Sequence, residues 1–473
     1  MKNDAPLPRC VQAFDSAGFV TDAPADNGFP RVRCDFASFD GGVRAGGDLQ
    51  RPDRCRFFEA GAFSGISISR GAGLSYAAAS FRNGGLSVEH SAFNRILDFD
   101  SSTQTVKVEA GISLFDLHKF LCPRGLFLAT QPGHGRITVG GCIAPDVHGK
   151  NHWRDGTFID QVAGLTLFHP AHGLIDLGQE KNPDLFRLTC GGFGLTGHIV
   201  TAMLRATPIP NDTIEVNLIP IADLPTGAEQ LLCTAASDAD FIYSWHDFNA
   251  PADSFGRGFI YAARFAKEGG AMKNQALREL PALTTRSRES WRLPLFNRWT
   301  ARVFNLGFYR KELWLGSRSR TNLHDALFPI HKKQFYFKLF GTPGFHECQA
   351  IIPFGKVADY SQAVQGYLKR RPTAITLASA KLFRGEPELL RFTGQGLCLA
   401  LNFPRNRDAE KFLRFLDSLM ISVGGIPNII KDSRLTLPVV EACYPGLRSF
   451  RELLHSFDPK RCFRSELSER LSL

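Results

Sequence analysis

Three glycine clusters, each beside a strand-like run in the N-terminal half, constrain this chain more than any other feature. They are Arg70-Gly-Ala-Gly-Leu-Ser-Tyr76, Pro132-Gly-His-Gly-Arg-Ile-Thr-Val-Gly-Gly141 and Gly191-Gly-Phe-Gly-Leu-Thr-Gly197. Glycine permits positive φ and leaves no side chain between backbone N–H groups and a phosphate. Any one cluster alone is no more than a tight turn. Three together, with His148 and Lys150 in the run Asp146-Val-His-Gly-Lys-Asn151, point to a ligand site. The clusters are not the dinucleotide fingerprint, because no G-x-G-x-x-G opens a βαβ unit there. Nor do they contain the G-x-x-x-x-G-K-[ST] phosphate loop.

The surrounding pattern is mixed. Strand alternation marks 65–70, 86–88, 106–108 and 199–204. Ser113, with Asp116 three residues on, predicts a helix cap ahead of Leu114, Leu117 and Leu121. Asn182-Pro183-Asp184 opens another helix, and Pro208 and Pro210 mark a boundary near 206–212. Phe412, Phe415, Leu416, Leu419 and Met420 form one helix face, ended by Gly424-Gly425. A last helix should bury Phe450, Leu453, Leu454 and Phe457. The first 35 residues read as an irregular extension.

At 473 residues, 44% hydrophobic and 22% charged, the chain is an ordinary globular sequence of two or three domains. No apolar run is long enough to cross a bilayer, and the first residues lack the apolar segment of a secretory leader. The expected location is cytoplasmic, with peripheral attachment to the inner membrane face as a further option. Eleven cysteines without a Cys-x-x-Cys pair argue against a disulfide framework or structural zinc, and no metal is expected. The net charge of +10 leaves nucleic acid, a membrane or an anionic substrate open. Most of it falls in 286–320, where Arg286, Arg288, Arg292, Arg298, Arg302, Arg310, Lys311, Arg318 and Arg320 face only Glu289 and Glu312. Trp291, Trp299 and Trp314 lie among them. Basic groups with interfacial aromatics suit an anionic membrane surface or a polyprenyl-phosphate tail, and otherwise a solvated loop. No nucleic-acid-binding module is recognisable, so nucleic acid is not an expected partner.

Later runs complete the pattern: Ala380-Lys-Leu-Phe383, Leu401-Asn-Phe-Pro404, Ile430-Lys-Asp-Ser-Arg434, Tyr444-Pro445 and Asp458-Pro459. With the glycine clusters and the Asp146–Asn151 run, they resemble FAD-linked oxidases of the vanillyl-alcohol oxidase / p-cresol methylhydroxylase superfamily. Within it the resemblance is to the decaprenylphosphoryl-β-D-ribose 2′-oxidase family, from residue 36 to the end. It implies an α+β, two-domain fold: a FAD-binding domain over 36–206, an inserted α/β substrate cap over 207–427 and a C-terminal return over 428–473. It also implies FAD held by Arg70, Gly71, Ala72, Gly73, Leu74, Ser75, Tyr76, Gly133, Thr138, Gly140, Gly141, Cys142, His148, Gly192, Gly194, Gly197, Ile199 and Asn428. Leu74 stands where covalent members of the group carry histidine, so the FAD is expected to be non-covalent.

The same resemblance makes Lys431 and His148 the catalytic candidates. It places the substrate among Tyr76, Lys150, Trp245, Glu347, Gln349, Lys381, Phe383, Cys398 and Lys431. On an extended segment Lys431 and Ser433 would point one way, with Asp432 and Arg434 pairing on the other. Departures from the family pattern are Ala400 for its pocket cysteine, Cys398 for its asparagine, Glu347 for a glutamine and His331 for an aspartate. A reactive thiol at Cys398 is the sharper reading of that change, a quiet pocket thiol the plainer one. The implied reaction oxidises the 2′-hydroxyl of a polyprenyl-phosphate-linked ribofuranose to the 2-keto sugar. That is the first half of an epimerisation to arabinose, completed by a separate short-chain reductase. The alternative is a soluble sugar, alditol or aldonolactone on the same fold.

Overall fold

The computed structural model describes residues 30–54, 57–58, 65–267, 293–316, 318–330 and 334–473. Arg286, Arg288, Glu289, Trp291, Arg292 and His331 lie outside them. The alternation before the first glycine cluster forms the strand Ser67–Arg70, parallel to Leu86–Glu89. Arg44–Gln50 runs parallel to Leu86–Glu89 on its other side and pairs antiparallel with Arg31–Ala37. Residues 31–35 therefore belong to a sheet and not to an irregular extension. Val32, Cys34 and Phe36 alternate with Arg33 and Asp35, a period of two that the Pro/Gly-rich stretch before it obscures.

A second sheet of five antiparallel strands follows, in the order Ile96–Asp100, Thr105–Glu109, His198–Arg205, Val162–His169, Gly173–Leu177. Ser113 caps the helix Leu114–Leu121 by accepting the Asp116 N–H, and Leu114, Leu117 and Leu121 are buried. The second glycine cluster ends in a short helix, Val139–Ile143, capped by Thr138. Gly140 and Gly141 are thus helical, not part of a loop. A Cβ on Gly140 would press on Ala110 at 3.2 Å, so glycine lets this helix lie directly on the sheet's end.

Residues 213–427 supply an eight-stranded antiparallel sheet. Its order is Arg318–Asn322, Thr213–Ile221, Gly258–Phe265, Phe241–His246, Leu377–Phe383, Gly396–Pro404, Phe345–Ile352, Ile426–Pro427. Helices Leu224–Ala235, Val357–Arg370 and Arg407–Val423 share one apolar core with it. The last of these buries Phe412, Leu413, Leu416 and Met420 and stops at Gly424, whose φ of +66° closes the helix.

After this sheet the chain turns back. Phe450, Leu454, Phe463, Leu471 and Leu473 share a core with Ile68 and Leu195, while Leu453 is exposed. The Ser67 N–H donates to the Cys462 carbonyl. The C-terminal segment therefore braces the strand that delivers the first glycine cluster. The described cysteines form no disulfide with one another, and no described helix is long and apolar enough to cross a membrane.

Candidate active site

A cavity of ≈ 630 Å³ is lined by both halves of the chain, a volume typical of a small-molecule or cofactor site. Its wall includes Arg70, Gly71, Ala72, Gly73, Leu74, Ser75, Tyr76, Gly133, Thr138, Gly140, Gly141, Gly194, Gly197, Ile199 and Asn428. The eight-stranded sheet contributes Trp245, Glu347, Gln349 and Lys381, and His148, Lys150 and Lys431 complete the expected set. Four expected residues are not in the wall. Cys142 is turned into the core beneath the short helix. Gly192 lies over the preceding helix, with the Leu188 carbonyl 2.2 Å from where its Cβ would stand. Phe383 stacks on His152 at 3.7 Å and meets His148 edge-on at 4.9 Å, so it backs the site, and Phe392 lines it instead. Cys398 is buried behind Lys381, its cross-strand partner.

The glycine side has the chemistry of an anion cradle. A Cβ on Gly71 would stand 2.4 Å from Thr138 Oγ1, so only glycine allows the two loops to meet there. Gly73 sits at φ +69°, the left-handed region that favours glycine. Among the described residues, the N–H groups of Ala72, Gly73 and Leu74 have no protein acceptor. The Arg70 guanidinium donates to Ser80 and lies 5.0 Å from the Phe36 ring, yet has no carboxylate at ion-pair distance among them. A cation and three open amides at one glycine turn fit the diphosphate of FAD. The N–H groups of Gly140 and Gly141 instead donate to Ala110 O and Thr138 Oγ1. That pair gives close approach and not hydrogen bonds.

Opposite chemistry gathers around Lys431. Residues 428–434 form successive turns, with the Lys431 N–H donating to Asn428 O, so the expected extended segment is not found. Lys431 Nζ lies 3.2 Å from Glu347 Oε1 and 3.9 Å from the Tyr76 ring centroid. Asp432 and Arg434 pair as expected at 2.8 Å, and Arg434 also clasps Asp417. Ser433 does not accompany Lys431 but donates to Asp40, because the turns break the two-residue alternation. Glu347 is not a bare acid facing a sugar: Lys431 balances it. Burial, then the charge of Glu347, raises the Tyr76 pKa well above its ordinary value, so the phenol keeps its proton.

His148 is fixed through both ring nitrogens. Nε2 lies 3.3 Å from Gln349 Oε1, which also accepts from Asn428 Nδ2, and Nδ1 lies 3.4 Å from Lys381 Nζ. Nδ1 also lies 3.2 Å from the Gly149 carbonyl, so each ring nitrogen faces a carbonyl oxygen that can accept its proton, with the lysine as a competing donor at Nδ1. Burial and the Lys381 charge push the His148 pKa well below its ordinary value, so the ring is neutral. Burial also lowers the Lys381 pKa, and no carboxylate pairs with this lysine among the described residues. Burial pushes the Cys398 thiol up to about 12, which makes it a quiet thiol and not a nucleophile. Lys150 donates to the Ala326 carbonyl and lies 5.0 Å over the Tyr243 ring.

Other functional positions were not expected from sequence. Tyr243 and Tyr261 stack at 4.7 Å beside Trp245, and strand alternation from Trp245 would have found Tyr243. Phe308, Lys311 and Glu312 line the cavity from the helix Arg298–Leu315, where no local signal marks them. Arg391 holds the Asp146 carboxylate at 2.6 Å from a point 245 residues along the chain. That separation leaves no sequence signature.

Comparison with known proteins gives an independent result. Residues 65–177 match the FAD binding domain model. The chain is 30% identical to decaprenylphosphoryl-β-D-ribose oxidase of Mycolicibacterium smegmatis over 417 residues, 86% of this chain and 89% of that protein. It is 24% identical to mouse (Mus musculus) L-gulonolactone oxidase over 405 residues, 82% of this chain and 85% of that protein. With D-arabinono-1,4-lactone oxidase of Eremothecium gossypii it shares 32% identity over 122 residues, 25% of this chain and 23% of that one.

Proposed function

Because the chain belongs to the family of FAD-dependent sugar and lactone oxidases, we propose that it oxidises the 2′-hydroxyl of a ribofuranose carried on a polyprenyl phosphate. It is a FAD-dependent oxidoreductase, and FAD held by the Arg70–Tyr76 turn would supply the hydride acceptor for the carbinol carbon. The observation that carries the substrate reading is the pair of separate cationic features in one cavity. Arg70 and the Ala72–Leu74 amides suit the cofactor diphosphate, with Thr138, Gly194, Gly197 and Asn428 around it. Lys381 is a second cation without a carboxylate partner among the described residues, and Lys150 lines the same space. Together they suit a phosphate on the substrate.

Within this reading, the Lys431 ammonium holds the hydroxyl oxygen. The Glu347 carboxylate, already in contact with Lys431, takes the proton as the C–H bond breaks. His148 stays neutral and, through Gln349, fixes the sugar-facing side of the sheet. The 2-keto product would then be reduced by a separate short-chain reductase. Glu347 and Ala400 depart from the lipid-linked sugar oxidases, and this keeps a soluble sugar, alditol or aldonolactone as the second reading.

Anaerobic bleaching of the flavin decides between them. Polyprenyl-phosphoryl-ribose is expected to bleach the enzyme, with free pentoses, alditols and aldonolactones leaving it yellow. Bleaching by the free compounds alone would remove the lipid-linked reading. A second expectation concerns attachment of the cofactor. With Leu74 at the position that carries histidine in covalent members, acid precipitation should release all flavin to the supernatant. Flavin retained in the pellet would contradict this.

A further inference from the structure

We infer that the outward face of the helix Arg298–Leu315 docks onto an anionic lipid bilayer. The helix starts at Asn297, whose side chain accepts from the Trp299 and Thr300 N–H groups. Ala301 and Asn305 are buried, and Phe308 and Glu312 are half-buried. These spacings of four, three and four define one inward stripe. On a globular protein the opposite face of such a helix is polar. Here it carries Trp299, Val303 and Trp314 at 62%, 70% and 83% exposure, with Leu313 also exposed. Leu293 and Leu295, exposed in the segment that leads into the helix, extend the apolar character.

Charge says which partner covers this face. Arg298, Arg302, Arg310 and Lys311 are all exposed. The one acid of the helix, Glu312, is turned inward, its side chain 14% exposed. Cations alone accompany the exposed tryptophans, and Arg298 lies over the Trp299 ring at 4.7 Å. Indole rings settle at the headgroup level of a bilayer, while long basic side chains reach past them to anionic headgroups. A water-soluble protein partner would equally cover the apolar side chains, but it would not by itself account for a rim of one sign. Docking places the cavity at the lipid surface, because Phe308, Lys311 and Glu312 of the same helix line it. The inference follows from the helix and holds whichever sugar hydroxyl is oxidised.

The test is co-sedimentation of the holoprotein with phosphatidylcholine vesicles, with and without phosphatidylglycerol. The wild type is expected to sediment with the anionic vesicles, and the triple variant Trp299→Ser, Val303→Ser, Trp314→Ser to bind at least about tenfold more weakly. Arg302→Gln with Arg310→Gln should abolish the preference for phosphatidylglycerol. Flavin absorbance and thermal midpoint report whether each variant folds. Independently of any variant, acyl-chain-brominated lipids should quench the wild-type fluorescence, since two of the five tryptophans occupy this face. Wild-type protein left in the supernatant, unchanged sedimentation of a folded triple variant, or a dimer that the triple variant dissociates without vesicle binding would each overturn the inference.

Discussion

Lys431→Ala is expected to retain FAD and lose substrate-driven flavin reduction by about 10²–10⁴-fold, the range for removing a positioned acid–base group. Lys431 Nζ is 3.2 Å from Glu347 and 3.9 Å from the Tyr76 ring centroid, so its loss removes the hydroxyl's cationic partner. It also leaves the Glu347 carboxylate without the charge that balances it. Both effects fall on the reacting end of the substrate; within the first glycine cluster Lys431 lies over the Tyr76 ring, at the end away from Arg70. Stopped-flow anaerobic reduction, with flavin content measured on the same sample, checks this. Glu347→Gln is the companion variant. It keeps the lysine and the side-chain shape but removes the proton acceptor, so reduction should slow with FAD again retained. Wild-type reduction by Glu347→Gln would send the proton elsewhere. Wild-type reduction by Lys431→Ala would remove the lysine from the chemistry.

The largest stability effect is expected at Arg391→Ala, a loss on the order of 3–5 kcal/mol from breaking one side of a buried ion pair. Asp146 is 2% exposed and sits at φ +48°, two residues before His148. Its carboxylate accepts from Arg391 Nε at 2.6 Å, Thr157 Oγ1 at 2.7 Å and the Ile159 N–H at 2.9 Å. Burial alone raises the Asp146 pKa, and Arg391 is the chief opposing influence. Without the arginine, the folded-state pKa should lie further above that of the unfolded chain. The folded variant would then bind more protons than its unfolded state at intermediate pH. Its stability should therefore recover as pH falls through the raised pKa, and the gap from wild type should narrow. Thermal or denaturant unfolding at neutral and mildly acidic pH measures both parts. A gap that is small at pH 7, or that widens on acidification, would show that this pair does not hold the loop.

How far sequence reading reached differs between residues for physical reasons. Ser113 with Asp116, and the Phe412–Met420 face, are local signals, because caps and helical stripes involve residues three or four apart. The glycine turn at 71–74 was legible for the same reason: backbone freedom is a property of the residue itself. Residues 431–434 depart from the extended form that alternation predicts, because hydrogen bonds to Asn428 and Asp432 impose turns there. The motifs that contain Cys142 and Phe383 predict both in the wall, but they face into the core. A motif fixes proximity along the chain without fixing which way a side chain points.

By itself, the sequence determined the class of chemistry: a FAD-binding chain with glycine at the few positions where two loops must touch, and with His148 and Lys431 in recognisable runs. Only the tertiary structure decided the electrostatic state of that chemistry. Lys431 meets Glu347 from 84 positions away, and Lys381 reaches His148 across 233. Arg391 holds Asp146 across 245. Charges interact through space at distances of a few ångströms, which the folded chain sets and the linear order does not record. The outward tryptophans of the 298–315 helix make the same point. Their residue types were visible in the sequence, but only the packing of Ala301 and Asn305 fixes which face they occupy.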